Sequence, residues 1–462
     1  MEFESVIRNG SVITGTSQMM ADIGIAGGKI VAIGKDLPAA MMEIDAEGKF
    51  VFPGAIDVHT HFGLFDRNIG LNNADDYESG TRSAAAGGIT TVLNFAFQTK
   101  GQGLQDGIET EIEKAKGRVH IDYGLHLVVT DLDVKGVCEQ IGPLADDGFA
   151  SLKIFTTLDA VRLSDRDIIR VLREAKRQGM LVNVHAEDDA TVHCMTESLL
   201  GEGKRTVEYF AASRPASAEG LATSRVAAYA QLTSCPVYFV HLSSASALDA
   251  VRRARNDGAE IYVETRPLYL FLDDSKYLLP DGQGAKYVCY PPLRTIEDQR
   301  VLWDALRTGE IQTYATDHGP WNSAEKLDSL RNFDQIPAGV SNVETSVGML
   351  FSEGVGKNRI SLSRFVQLVS ANPAKLFGMY PSKGTLSIGA DADIVLIDPH
   401  LEVTMGARPI ESRADYEPFE GYKAVGWPVL TMSRGEVIFR NGEILSRAGR
   451  GRLLKRDRYL LP

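Results

Sequence analysis

The rhythm of apolar and polar positions changes twice along the chain. Residues 1–52 alternate in short runs broken by turns. In "ADIGIAGGKIVAIG" the pair Gly27-Gly28 separates two runs of period two, which predicts a β-hairpin. "ESVIRNGSVI" carries Asn9-Gly10 between alternating apolar residues and predicts another. The texture returns in "ADIVLIDP" (392–399) and "VLTMSRGEVIFRNGEIL" (429–445). A Gly-x-Val-Ile stretch occurs at Gly10–Ile13 and again at Gly435–Ile438. The two ends are therefore expected to contribute strands to one β module.

Between them, short apolar strands alternate with amphipathic helical patterns. "TTVLNFAF" precedes "GLQDGIETEIEKAKG", "SLKIFTT" precedes "DRDIIRVLREAKRQG", and "PVYFVHLSS" precedes "ALDAVRRARNDG"; "LVNVHAE", "EIYVET" and "IQTYATD" are further strands. Such alternation predicts an α/β fold, a (β/α)8 TIM-like barrel, with a small β-sandwich formed by the N- and C-terminal segments. The expected boundaries are 1–52 and 386–445 for the two parts of the sandwich, 53–385 for the barrel and 446–462 for a C-terminal tail.

Barrel enzymes carry their chemistry at the carboxyl ends of the strands. Period two puts Asp57, His59 and His61 of "GAIDVHTHFG" on one face of the first strand. The same parity aligns Ser151, Lys153 and Phe155; Asn183 and His185; Phe239 and His241; and Ala315 and Asp317. Five strand ends thus present a metal-capable group or a lysine. Four histidines and an aspartate suit Zn²⁺ or a similar divalent ion. A protonated Lys153 beside such cations would be repelled, so it is neutral, turned away or chemically converted. Reaction with CO₂ would make it a carbamate able to bridge two metals. Two Zn²⁺ against that carbamate, Asp317 and a hydroxide would leave one net positive charge, a Lewis acid at neutral pH.

Composition narrows the rest. With 462 residues, 44% hydrophobic and 24% charged, the chain is an ordinary globular one, and its net charge of −12 speaks against nucleic acid or an anionic membrane as partner. No apolar run approaches a membrane span, and "MEFESVIRNG" has no secretory pattern. Cys138, Cys194, Cys235 and Cys289 have no paired spacing and read as buried thiols of a cytoplasmic protein. "GQGLQDG" (101–107) reads as a flexible loop, not a phosphate cradle. The tail "RAGRGRLLKRDRYLLP" has six basic residues in sixteen and reads as an arm on a neighbouring subunit of a homo-oligomer, a tetramer or dimer. His120, His126, His193 and His400 read as structural, and Asp57 as a group that could orient a ligand.

"GAIDVHTHF", "AAAGGITTVLNF", "SLKIF", "VNVHAEDD", "ASRPASAEGLATSR", "VYFVHLSSASALDAVRRAR", "YPPLR" and "ATDHGPW" together resemble the cyclic amidohydrolases, in the dihydropyrimidinase and hydantoinase branch of the amidohydrolase superfamily. The likeness runs from about residue 5 to 455. It implies two zinc ions per chain, one held by His59, His61 and Asp317 and one by His185 and His241, with a carboxylated Lys153 bridging. It implies ring opening of a cyclic amide or ureide, with a metal-held hydroxide attacking the carbonyl and Asp317 passing the proton to the leaving nitrogen.

The chain departs from that branch at three places. Leu158 stands where a tyrosine usually steadies the oxyanion, Tyr290 replaces the serine of a Ser-Pro-Pro segment, and Ala338 replaces an asparagine whose contact runs through the backbone. Tyr290, or else Thr156 or Thr157, is the expected substitute hydroxyl. His318, beside Asp317, is expected to contact substrate or support the ligands. Dihydroorotase-like members carry an arginine just after His-x-His, whereas here Arg67 lies six residues beyond His61. Allantoinase and an L-selective hydantoinase use the same frame. So would a linear N-acyl amino acid deacylase, and a non-catalytic scaffold like the collapsin-response relatives would keep the fold without the ligands.

Overall fold

The computed structural model of the protein describes residues 2–66 and 70–459. Eight strands, Ala55–Thr60, Ile89–Phe97, Asp122–Val128, Ser151–Phe155, Leu181–His185, Val237–Phe239, Ile261–Thr265 and Thr313–Tyr314, lie side by side in chain order, every neighbouring pair parallel. The sheet closes where Thr60 bridges His318 and the His61 N–H donates to the His318 carbonyl at 2.8 Å. Helices cover the outer face, so the strands are buried on both sides and read as near-continuous apolar runs.

The connecting helices follow from their sequences. Asp165–Gln178 starts at Ser164, whose side chain accepts from the Asp167 N–H, and stops at Gly179 with φ of 62°. Asp165 and Asp167 occupy its first turn and Lys176 and Arg177 its last, matching the helix dipole, while Ile168, Val171, Leu172 and Ala175 face the barrel.

The strands from the two chain ends join in one nine-stranded sheet. The junction is Phe50–Pro53 against Ile394–Thr404, antiparallel, with Val51 opposite Leu396. Ile7, Ile23, Ile25, Ile30, Val51, Ile394, Leu396 and Met432 form its own core. Gly27-Gly28 does turn a hairpin, between Gln18–Ala26 and Lys29–Gly34.

Several local expectations need correction. Asn9-Gly10 makes no hairpin: Phe3–Ile13 is a single strand, and Asn9 sits at φ of 59° where the register slips between Ile7 and Gly10. It is a bulge, and a side chain at Gly10 would meet Val51 Cγ2 at 2.4 Å. The stretch 101–107 is only half loop, because Gly103 caps the helix Leu104–Ala115. The basic tail packs on its own barrel. Arg452 O accepts from the Tyr123 N–H, the Leu454 N–H donates to Tyr123 O, and Arg456 is buried beneath the strands with its Nη2 on Leu125 O. Cys235 and Cys289 are buried as expected, but Cys138 is half-buried and Cys194 exposed, all four free. Among the described residues no helix is long and apolar enough to cross a membrane.

Candidate active site

The inward parity expected from period two brings six side chains to the mouth of the barrel. His59 and His61 each turn Nε2 toward Asp317 Oδ1, at 3.1 Å in both cases. Suitable ligand atoms of these three residues all lie within 4.8 Å of one another. Across the opening, His185 Nδ1 and His241 Nε2 approach to 2.9 Å, and the His59 and His241 rings are 5.5 Å apart. The Lys153 amine lies between Phe95 and Phe155, 5.3 and 4.8 Å from their centroids. Those rings in turn stack on His61 and His185. His241 and Asp317 leave their strands at φ of 40° and 51°, left-handed conformations rare outside glycine that cluster where function demands them.

Electrostatics at the mouth are set by burial. Lys153 is buried, and loss of hydration pushes its amine down to about 7, against the pull of Glu264 and Asp317. Burial likewise drives His241 well below its ordinary value, with His185 beside it adding to the shift. Burial would raise Asp317, but His59 and Arg266 outweigh it and hold the carboxylate well below the usual range.

Four charged residues that the strand-end pattern does not single out brace these groups. Glu264 Oε1 meets His59 Nδ1 at 2.7 Å and also accepts from the His241 N–H at 2.8 Å. A carboxylate there keeps the proton on Nδ1 and leaves the Nε2 lone pair facing the mouth. Glu187 does the same for His185 from the other nitrogen, 2.8 Å from Nε2. Arg214 holds Glu187 with two hydrogen bonds of 3.0 and 2.7 Å. Arg266 donates from Nη1 to Asp317 Oδ2. The available signal was parity: Glu187 lies two residues beyond His185, and Glu264 and Arg266 share the inward face of the next strand end.

The remaining expected residues divide. Asp57 accepts from the Thr316 and His59 amides and from the Thr316 hydroxyl, tying the first strand to the last, and burial raises it to about 6. His318 is fully buried and both ring nitrogens are spent within the protein. Nε2 bonds Asp75 at 2.8 Å, and Nδ1 accepts from the Asn342 and Val343 amides. Direct substrate contact through its side chain is therefore replaced by a bracing one. Burial pushes Asp75 up, yet hydrogen bonds from His318, Arg413 and Ser412 prevail and hold it at about 2. Thr156 donates to the His185 and Glu187 carbonyls and Thr157 to Asp189, so neither hydroxyl is free to replace a lost donor. Tyr290 packs its ring 4.0 Å from the Arg214 guanidinium carbon. The Ala338 carbonyl accepts from Trp321 Nε1 at 2.9 Å. Leu158, at φ of 74°, lines an apolar wall with Phe95, Phe97, Phe155 and Val161. Arg67 lies outside the described residues.

Comparison with known proteins bears directly on this arrangement. The amidohydrolase family model matches residues 50–438. A D-hydantoinase of Geobacillus stearothermophilus is 41% identical over 458 residues, which cover 98% of this chain and 97% of that protein. The chain belongs to the amidohydrolase family, in its hydantoinase and dihydropyrimidinase branch. The crystal structure of a dihydropyrimidinase from Brevibacillus agri superposes with a TM-score of 0.96 at 41% identity, covering 99% of this chain and all of that one. An L-hydantoinase from Arthrobacter aurescens gives 0.90 at 29% identity over 98% of this chain and all of that one. The amidohydrolase frame thus extends through both the barrel and the terminal sheet.

The donor set also fits divalent metal on its own chemistry. His61 Nδ1 and His241 Nδ1 are buried without a hydrogen-bond partner, while His59 and His185 each have one nitrogen pinned by a carboxylate and the other facing the shared space. Imidazoles held in this way, with an aspartate beside them, are by type a donor set suited to a divalent metal.

Proposed function

We propose that the protein hydrolyses the C–N bond of a cyclic amide or ureide, the reaction that the names D-hydantoinase and dihydropyrimidinase indicate for its relatives, and that it uses two zinc ions to do so. The observation that carries this reading is the convergence of His59, His61 and Asp317 within 4.8 Å, facing the His185–His241 pair. His59, His61 and Asp317 would hold one ion and His185 and His241 the other.

Lys153 would bridge them as a carbamate. Its nitrogen lone pair bonds to the carbon of CO₂ and one N–H proton leaves, so the side chain ends with one negative charge. A buried amine with no ion-pair partner among the described residues is better accommodated in that form beside two cations.

The bound zinc would supply Lewis acidity, polarising the scissile carbonyl and making water nucleophilic near neutral pH. The protein's own groups orient and move protons. Asp317, at the edge shared with both imidazoles, takes the proton of the attacking water and delivers it to the leaving ring nitrogen. The apolar wall of Phe97, Phe155 and Leu158 keeps bulk water from competing with the ring. Tyr290 is the candidate oxyanion donor in place of the tyrosine absent at Leu158, since Thr156 and Thr157 are engaged elsewhere. The Ala338 backbone would contact the ring, and His318 would steady Asp317.

Four unpaired thiols accord with a cytoplasmic setting. Leu221 and Leu232, 55% and 66% exposed on the helix Ala216–Thr233, accord with a homo-oligomer. The test is a turnover panel of dihydrouracil, 5-substituted hydantoins, allantoin and dihydroorotate, with zinc and bicarbonate supplied together and singly. Ring opening of dihydrouracil or a hydantoin, dependent on both additions, supports the proposal. Activity on none of the rings, or full activity after zinc is stripped, refutes it.

A further inference from the structure

Arg266 follows Glu264 by two residues at the carboxyl end of the strand Ile261–Thr265, so both side chains enter the barrel. Its side chain is completely buried, and its guanidinium carbon lies 4.5 Å from the Tyr269 ring centroid. Asp317 is its single ion-pair partner among the described residues, reached from Nη1 to Oδ2. Nε and Nη2 find no acceptor there. A guanidinium stripped of water is costly unless an anion answers it, so this one is committed to Asp317.

The contact divides the carboxylate between two tasks. Oδ2 belongs to Arg266, while Oδ1 lies 3.1 Å from Nε2 of both His59 and His61. The same strand end also supplies Glu264, which fixes His59 from the far side of its ring. A negative and a positive residue two positions apart thus brace an imidazole and a carboxylate that stand next to each other.

We propose that Arg266 is a positioning residue for the reaction. By holding Oδ2 it stops the Asp317 carboxylate from turning and commits Oδ1 to the edge shared with His59 and His61, where proton transfer occurs. This rests on the metal-dependent hydrolase reading above. The flat guanidinium seated on Tyr269 suits arginine, because lysine offers a point charge without a fixed direction.

The test compares Arg266→Met and Arg266→Lys with the parent enzyme, each loaded with zinc or with cobalt. The methionine variant is expected to bind as many metal ions as the parent and to lose about 100-fold in kcat with KM within about threefold, the scale of a misplaced catalytic group. Its cobalt form should show an altered visible spectrum, and lysine, or guanidinium salt added to the methionine variant, should return part of kcat. Unchanged kcat overturns the proposal. So does a rise in KM at constant kcat, which would make Arg266 a substrate-binding group, and so does loss of metal, which would make it structural. Should the methionine variant fail to fold, the lysine variant decides by the same split and spectrum, since it keeps the charge and loses the fixed direction of the guanidinium. A parent enzyme that binds no metal or opens no ring refutes the broader reading instead, and is seen before any variant is made.

Discussion

Glu264 reaches across the barrel to His59, 205 residues away in sequence, with 2.7 Å between Oε1 and Nδ1. The contact fixes both the tautomer and the tilt of the imidazole, and the same carboxylate oxygen accepts the His241 amide. Glu264→Gln keeps the size and loses the charge. It is expected to weaken metal retention about 10- to 100-fold, the usual cost of removing a partner behind a ligand. Competition with a chelator, followed by metal analysis of parent and variant, checks this. Equal retention would assign Glu264 a purely structural task, such as its bond to the Tyr238 hydroxyl.

Tyr290 stands on the His185 side of the mouth, stacked on Arg214, which holds Glu187, which holds His185. Tyr290→Phe preserves the stacking surface and removes only the hydroxyl. If that hydroxyl steadies the oxyanion, kcat falls about 10²–10³-fold on the best ring substrate, while the protein's melting temperature stays near the parent value. Full turnover by the phenylalanine variant would remove Tyr290 from the mechanism and leave the tyrosine missing at Leu158 without a side-chain hydroxyl in its place.

A pH effect on stability is expected from Glu344, in the first turn of the helix Val343–Leu350. It is buried, accepting from the Ser83 hydroxyl and the Glu411 N–H, and burial raises its carboxyl from 4.5 to about 7. A raised carboxyl favours the fold in its neutral form. Its contribution is complete below about pH 4.5 and is lost as pH rises through about 7, a change of about 3 kcal/mol. Glu344→Gln should therefore match the parent near pH 5, exceed it near pH 8, and flatten the curve between. Thermal melts of both proteins across that window measure it, and parallel curves would acquit Glu344.

Much of the site is legible along the chain because a strand's inward face is set by period two. Once His59 and His61 are placed on that face, Lys153, His185, His241 and Asp317 follow as residues at other strand ends. The supporting shell was less legible. Glu187, Glu264 and Arg266 obey the same parity, but a carboxylate or guanidinium on the inward face is common at any polar strand end. Only the approach of another strand gives it a task. His318 shows the converse, since its place beside Asp317 suggests substrate contact while Asp75 and two backbone amides occupy its ring.

Local signals failed where a long-range partner overrode them. Asn9-Gly10 has the chemistry of a tight turn, yet Phe3–Ile13 continues through it because Gln18–Ala26 pairs along its length and absorbs the extra residue as a bulge.

What the sequence by itself determined is the alternation of strands and helices and the set of side chains that face inward, because both depend on residues a few positions apart. The tertiary structure alone decided that Thr60 would meet His318 and close the ring, that Glu264 would stand behind His59, and that Arg266 would hold one oxygen of Asp317. Those pairings join segments separated by dozens to hundreds of residues, and only closure of the barrel brings their surfaces within hydrogen-bonding distance.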